Sequence, residues 1–387
     1  MTGGVQGFVP ARLAQAREAR NLSYVALSEV VGVTSSAISQ YEKGVTSPRP
    51  DVVDRLSKAL NIPAGFLYKG GIKSITGNLY YRSNSASVKP ARRRARRRLE
   101  WFKEIADYLE NYIDFPNVNL PKFDYLPNDP LSITNEMIED VAISLREYWQ
   151  LGDGPIPNMT RLVESNGILV ARGKLDSEHL DAFSEFDQHG RPWMFLSSDK
   201  NVMVRTRFDV GHELFHLIAH RDVSQADRNK TEVYAALEKQ AHRFSSAFQL
   251  PEKAFSGDIW DVSIDAFRAM KPRWKVSIGS MVFRAVQLKL IDEASAKRLR
   301  ISISRRGWRK GEPLDDLPVE TPTTIARSIN LLISERIKTP DQIKTELCLP
   351  ESDIVELAGL DADTLSPDQK VGVPTLKKPN NVVNFSR

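Results

Sequence analysis

His212, Glu213 and His216 stand in an H-E-x-x-H pattern within Gly211-His212-Glu213-Leu214-Phe215-His216. Four residues are about one turn of an α-helix, so the two imidazoles lie one above the other on one face and can share one cation. Glu213 is rotated to the adjoining face, where it can accept a proton from a water at the metal. Two imidazoles and a carboxylate suit Zn2+, and Mn2+ is compatible with the same donors. A catalytic site of this kind needs a third protein ligand and one open position. Glu238 and His242, four apart on a later helix, are the candidates, and Glu238 follows His216 by 22 residues, enough for a loop and a return helix. His220 extends the series by one more turn and belongs at the surface or behind the ligands.

The elements that must position these residues are legible as periodicity. Leu214, Leu217 and Ile218 continue an apolar stripe at helical spacing with no proline in the run. Residues 231–250 read as a second helix, with Tyr234, Leu237, Ala241, Phe244 and Phe248 on one side and Glu238 and His242 at its edge. Upstream, helices are expected over 134–150 and 156–166, and strands over 167–171, 179–186 and 192–196. The expected fold class is mainly α with a small antiparallel sheet, that is α+β. An edge strand beside the cleft could take an extended peptide by strand addition. Asp187-Gln188-His189-Gly190 reads as a turn, leaving His189 exposed.

The stretch 208–216, followed by Leu237-Glu238-x-x-Ala241-x-x-Phe244 and Gln249-Leu250-Pro251, resembles the ImmA/IrrE family of metallopeptidases. The resemblance spans about residues 130 to 255. It implies His212, His216 and Glu238 as metal ligands and Glu213 as the catalytic acid/base. Three positions depart from the family pattern: His242 where Asn is usual, Ser245 where Ala is usual, and Phe215 where a small residue is common. His242 could be a fourth ligand that closes the site, or a catalytic donor to the developing oxyanion. Phe215 is bulky enough to narrow the cleft.

The N-terminus carries an independent signal. Helices are expected over 8–20, 24–31, 35–43 and 50–60, with Pro10 near the first start, Ser23 as a cap, and Gly32-Val33-Thr34 as a tight turn. The string from Gly32 to Gly44 resembles the Cro/cI-type (XRE) DNA-binding domain, a five-helix unit. The resemblance implies that Ala37, Ile38 and Tyr41 face inward, while Ser35, Ser36, Ser39 and Gln40 point into the major groove of a double-stranded DNA operator. Hydroxyls and a carboxamide can pair with base edges, Gln with adenine most naturally, while Lys43 and Arg49 suit phosphates. Such proteins read half-sites about one DNA turn apart, so a homodimer is expected.

At 387 residues, two to three domains are expected. The expected division is 1–70 for the helix-turn-helix domain, 71–130 for a basic connector and proline-rich linker, 131–260 for the peptidase-like domain, 261–365 for a helical region, and 366–387 for a disordered tail. A net charge of +5 permits an anionic partner without requiring one. The single cysteine, Cys348, excludes a disulfide framework and a cysteine-rich zinc site. No apolar run approaches a membrane span, and the N-terminus lacks a signal-peptide pattern, so a cytoplasmic protein without a membrane partner is expected.

The connector is distinctive. Residues 78–82 look extended and 83–87 loose. Lys89–Arg98 then holds seven cations in ten residues at the start of a helix over 99–112. Cations there oppose the helix dipole, which points either to bound DNA phosphate or to pairing with acids of other segments. Residues 114–130 hold four prolines and read as an ordered linker. Farther on, helices are expected over 264–290, 323–337 and 340–347, a short helical hairpin over 349–360, and a strand over 301–308. No phosphate-binding glycine loop, dinucleotide fingerprint or internal repeat is present. The reading is a DNA-binding regulator carrying a zinc peptidase that cleaves a repressor protein, in trans or in cis, in a stress or inducer response. The rivals are a regulator using the same fold as a non-enzymatic sensor, and a phage-immunity or antitoxin-type regulator.

Overall fold

The computed structural model describes residues 4–70, 89–309 and 311–366. The readings for 71–87 and, beyond Ser366, for the tail lie outside the described residues.

The N-terminal unit contains α1 (Pro10–Ala19), α2 (Tyr24–Val31), α3 (Ser35–Glu42) and α4 (Pro50–Leu60), and closes with a 3-10 helix at Ala64–Tyr68 in the place of a fifth α-helix. Its boundaries follow from local chemistry. Pro10 occupies a first-turn position, where its missing N–H costs nothing. Ser23 Oγ accepts from the Ala26 amide and Thr34 Oγ1 from the Ala37 amide, while Gly32 ends α2 at φ 70°. Leu13, Leu27, Val31, Ile38, Val53 and Phe66 fill the core between these helices. Buried Arg17 grips Glu42 through two nitrogens at 2.6 and 2.8 Å and so ties α1 to α3.

Helix α5 (Lys89–Leu109) is the spine of the molecule. Trp101, Phe102, Ile105 and Leu109 are buried, and the apolar cluster they join runs without a break from α1 and α4 to one face of the sheet and on to the C-terminal helices. The basic run at its start pairs with acids of other segments. Arg97 reaches Glu18 at 2.8 Å and Glu100 at 2.8 Å, Arg98 reaches Glu356 at 2.6 Å, and Arg94 bonds Asp176. Of the two readings of these cations, intramolecular pairing is therefore the observed one for those three arginines.

After the linker come α6 (Asn135–Tyr148), α7 (Met159–Ser165), β1 (Leu169–Gly173), β2 (Ala182–Phe186) and β3 (Pro192–Ser197). The sheet is small, as expected, but it is mixed rather than antiparallel: the order is β1-β3-β2, with β3 antiparallel to β2 and parallel to β1. The tight turn at Asp187–Gly190 forces the β2–β3 hairpin, and β3 then inserts between its two predecessors. Both faces are covered. Leu169, Ala171, Phe183, Trp193 and Phe195 point to the α5 side, while Val170, Ala182, Met194 and Leu196 point to the opposite side. That opposite side is filled by α6, α8 (Met203–Ala219) and α10 (Thr231–Gln249), with α9 (Gln225–Arg228) in the connection.

Beyond α10, four helices enclose a core of their own around Phe267, Trp274, Met281 and Leu299: α11 (Glu252–Asp258), α12 (Ile264–Trp274), α13 (Ile278–Gln287) and α14 (Glu293–Arg305). Two expectations fail here. The single helix over 264–290 is broken at Lys275, which adopts φ 54°, and α13 restarts with Ser277 as cap. The strand over 301–308 is instead the end of α14. The Ile-Ser-Ile-Ser alternation imitates a strand, but Ala296, Leu299 and Ile303 are the buried set, at helical spacing, and Ile301 is exposed. The chain returns through α15 (Thr324–Ser334), α16 (Pro340–Leu347) and α17 (Glu351–Ala358), a single helix where a short hairpin was expected over 349–360. There Arg20 of α1 grips buried Asp353 of α17 at 2.6 and 3.0 Å, and Glu356 accepts from the Lys174 amide just past β1. No helix among the described residues is long and apolar enough to cross a membrane.

Candidate metal centre and nucleic-acid face

Helices α8 and α10 pack closely because Gly211 has no side chain. A Cβ there would stand 2.6 Å from Ser245 Oγ and 3.2 Å from Ser245 Cβ. The Ser245 hydroxyl uses that space to donate to the Phe208 carbonyl at 2.8 Å, bridging the two helices. Ser245 is thus a helix-packing residue. Phe215 also lies away from the cleft: it is fully buried and stacks on Phe244 at 4.8 Å, so it does not narrow the site.

This packing brings the predicted ligands together. His212 Nε2 and His216 Nε2 are 3.0 Å apart, Glu238 Oε2 is 3.6 Å from the first, and Glu238 Oε1 is 3.7 Å from the second. A tetrahedral zinc held at about 2.0–2.1 Å by each donor would set neighbouring donors about 3.3 Å apart. The three observed edges of 3.0, 3.6 and 3.7 Å surround that figure, so the donor set fits the ion. The histidine side chains are 5% and 3% exposed and Glu238 is 18% exposed, so the cluster opens on the carboxylate side. Burial first, and the charge of Arg228 second, push the His216 imidazole down to about 3. His220 is likewise held well below the ordinary histidine range, by burial and then by His216, against its hydrogen bond to Gln240 Oε1. Burial thus favours the neutral form of both rings, the form in which an imidazole ligates a metal.

Glu213 is buried one residue beyond His212. Ser184 on β2 donates to its Oε2 at 2.7 Å and so sets the direction of the carboxylate. His242 lies one turn beyond Glu238, its ring 5.0 Å from that of His212 and edge-on to Phe208 at 5.3 Å. Two sets of potential donors fall within 4.8 Å of one another: His212, Glu213 and His216, and His212, Glu238 and His242. His220 is fully buried behind the pair, with its Nδ1 2.8 Å from His216 Nδ1. Sequence reasoning did not find Ser184 or Gln240. Their local patterns are those of ordinary strand and helix residues, and only the packing of β2 and α8 on the same layer reveals them.

At the other end of the molecule, Ser35, Ser36 and Gln40 are exposed along α3, and Ser39 is half-buried. Ile38 is buried, and Ala37 and Tyr41 are half-buried on the inner side. Lys43 is exposed just after α3, and exposed Arg49 stands before α4 with its guanidinium 3.5 Å from Asp51. Five of the six residues expected to contact DNA lie on α3 or at its C-cap, and Arg49 stands at the start of α4.

Comparison with known proteins agrees with this division. Residues 13–67 match the family model described as helix-turn-helix, and residues 163–286 match the peptidase family model described as the IrrE N-terminal-like domain. Over 86 residues the chain is 30% identical to an uncharacterized HTH-type transcriptional regulator, y4wC, of Sinorhizobium fredii. That match covers 22% of this chain and 60% of the relative. The second model contains β1, both helices that carry the donor cluster and the cluster itself, and the first contains α3 with its exposed face. Residues 13–67 are thus similar to helix-turn-helix domains, and residues 163–286 to the IrrE N-terminal-like domain of a peptidase family.

Proposed function

We propose that this chain is a transcription regulator whose IrrE-like domain is a zinc-dependent endopeptidase that cleaves a repressor protein, either a separate one or a copy of this chain. The observation that carries the reading is the convergence of His212, His216 and Glu238 with Glu213 oriented by Ser184 beside them. His212, His216 and Glu238 hold the ion, zinc by donor type, with manganese accommodated by the same set. An ion held there would supply Lewis-acid polarisation of the scissile carbonyl and a more acidic water. Glu213 accepts the proton of the attacking water as the new carbon–oxygen bond forms, and delivers it to the amine nitrogen as the carbon–nitrogen bond breaks. His242, half-buried with its ring 5.0 Å from that of His212, would donate to the oxygen that gains charge. Ser35, Ser36, Ser39 and Gln40 read the operator, and Lys43 and Arg49 hold its phosphates. The protein works as a homodimer in the cytoplasm, where operator and repressor are found. Residues 1–70, 131–260 and 261–365 serve as its DNA-reading, peptidase and accessory regions, joined by the connector at 71–130.

The grouping of His212, Glu238 and His242 supports a second reading. Four protein ligands close a zinc site and make it structural. The domain would then be a sensor without peptidase activity. One experiment separates the two: purified wild type and Glu213→Gln are incubated with a panel of repressors and analysed by mass spectrometry, alongside metal content. The peptidase reading predicts cleavage by wild type and none by the variant, with equal metal in both. Equal cleavage by both sinks the role of Glu213, and metal without cleavage of any repressor selects the sensor.

A further inference from the structure

Helices α7 and α15 cap one another at their starts. Glu164 of α7 accepts from the amides of Thr323 and Thr324, where α15 begins, at 3.0 and 2.9 Å. Glu320, on the segment that leads into α15, accepts in return from the amides of Met159 and Thr160, where α7 begins, at 2.7 and 3.2 Å. It also pairs with buried Arg207 of α8. Both carboxylates are buried, so the two helix starts are fixed against each other and the space between them is preformed. That space is an open cavity of about 450 Å³. Arg161 of α7 and Arg327 of α15 line it, each in the first turn of its helix, and Ile113, Pro116 and Leu331 add apolar surface. An adjoining cavity of about 350 Å³ shares Arg161 and adds Lys275. The guanidiniums of Arg161 and Arg327 have no hydrogen bond or ion pair among the described residues, and Asp114, an exposed acid of the same cavity, pairs with neither. Cations in a first turn oppose the helix dipole. The arginines that begin α5 are answered by Glu18, Asp176 and Glu356, whereas no described acid answers these two.

We infer that this groove binds a small organic anion, a phosphate or carboxylate carried on an apolar body. The helix starts themselves cannot hold it, because Glu164 and Glu320 already take their amides. The attraction comes from Arg161 and Arg327, whose planar guanidiniums match either acidic group through paired hydrogen bonds. The apolar body lies along Ile113, Pro116 and Leu331. The volume falls within the range of about 300–1,000 Å³ usual for small-molecule sites. Both arginines lie outside the two segments matched by family models, and the groove shares no residue with the donor cluster. An occupant bridges α7, which packs on the histidine-bearing α8, and α15, which packs on α5. It is therefore an effector of the regulator and not a substrate of the metal centre.

The test titrates the full chain with phenyl phosphate and with benzoate, followed by relaxation of the probe's own proton signals. Inorganic phosphate and benzyl alcohol supply the charge and the apolar body separately. At least one of the two organic anions should bind saturably, one per chain, and the one that binds identifies the acidic group. Inorganic phosphate and benzyl alcohol should each bind more weakly. Arg161→Ala and Arg327→Ala should each weaken binding about tenfold or more, the loss expected for a hydrogen bond to a charged group. His216→Ala, which disturbs only the proposed metal site, should bind as wild type does, so the two sites are tested independently. The unfolding midpoint of the probe-free arginine variants should match that of wild type, because both side chains are exposed. No saturable binding of either organic anion by wild type, or undiminished binding by the arginine variants, overturns the inference. So does a lowered midpoint in those variants, which would assign the guanidiniums to the fold. Binding lost in His216→Ala and kept in the arginine variants would place the probes at the metal centre and equally overturn it.

Discussion

Gly211→Ala is the substitution for which local propensity and tertiary packing predict opposite signs. In an isolated helix, Gly to Ala stabilises by about 1 kcal/mol. In this protein the new methyl group would meet Ser245 Oγ at 2.6 Å, Ser245 Cβ at 3.2 Å and Ser245 Cα at 3.3 Å. Rotating the hydroxyl away relieves the first contact and forfeits its bond to the Phe208 carbonyl, worth about 1 kcal/mol. The two carbon contacts remain, so α8 and α10 must part by a few tenths of an ångström, and overpacking of that kind costs about 1–3 kcal/mol. Against the propensity gain, the net expectation is a loss of roughly 1–3 kcal/mol. The same separation moves Glu238 away from His212 and His216, so metal affinity should fall together with stability. Urea unfolding of the metal-free protein measures the first effect and chelator competition the second. Adding Ser245→Ala to Gly211→Ala should restore part of the loss, giving a favourable coupling of about 0.5–3 kcal/mol between the two positions. A Gly211→Ala protein that is more stable than wild type and binds metal normally would refute the claim that this glycine sets the spacing of the two helices.

Three other substitutions follow from the same structure. Asp353→Ala leaves Arg20 without its buried partner and weakens the surroundings of Arg98, 3.8 Å away; removal of one member of such a pair costs about 3–5 kcal/mol, readable as a shift in the denaturation midpoint, and a change under about 0.5 kcal/mol would contradict the role of this contact in holding α1 to α17. In the helix-turn-helix domain, Gln40→Ala should cost about 1–3 kcal/mol on the cognate operator and little on random DNA, whereas Lys43→Ala should weaken both and lower the salt slope by about 1. Titrations at several salt concentrations distinguish the two, and equal behaviour of the variants would show that Gln40 does not read bases.

The parts of the molecule that the sequence reveals are those governed by short-range chemistry. Ser23, Gly32 and Thr34 mark the boundaries of α2 and α3 because caps and left-handed glycines act within three residues. The separation of His212 from His216 is meaningful because helical pitch is fixed, and Glu238 was within reach as the acid on the next amphipathic helix. Long-range pairing left little trace. The mixed sheet depends on β3 entering between β1 and β2, a choice made by how the layers close rather than by any residue in the strands. Alternating Ile and Ser at 301–304 satisfied the rule for a strand, and the core around Leu299 overruled it. The arginines of α5 read equally as a polyanion site or as partners of acids elsewhere, and only the fold places Glu18, Asp176 and Glu356, distant in the chain, beside them. Ser184 and Gln240 meet Glu213 and His220 across 29 and 20 residues of sequence, a separation at which no periodic pattern survives.

Metal stoichiometry is the most direct test of the central claim that His212, His216 and Glu238 form one cation site. Wild type, His216→Ala and Glu238→Ala should be purified without a metal-binding tag and analysed for zinc and manganese by mass spectrometry. One ion per wild-type chain, and loss of that ion from both variants with the helical signal unchanged, is the predicted result. Equal metal in all three proteins, or none in wild type supplied with excess zinc, would contradict it.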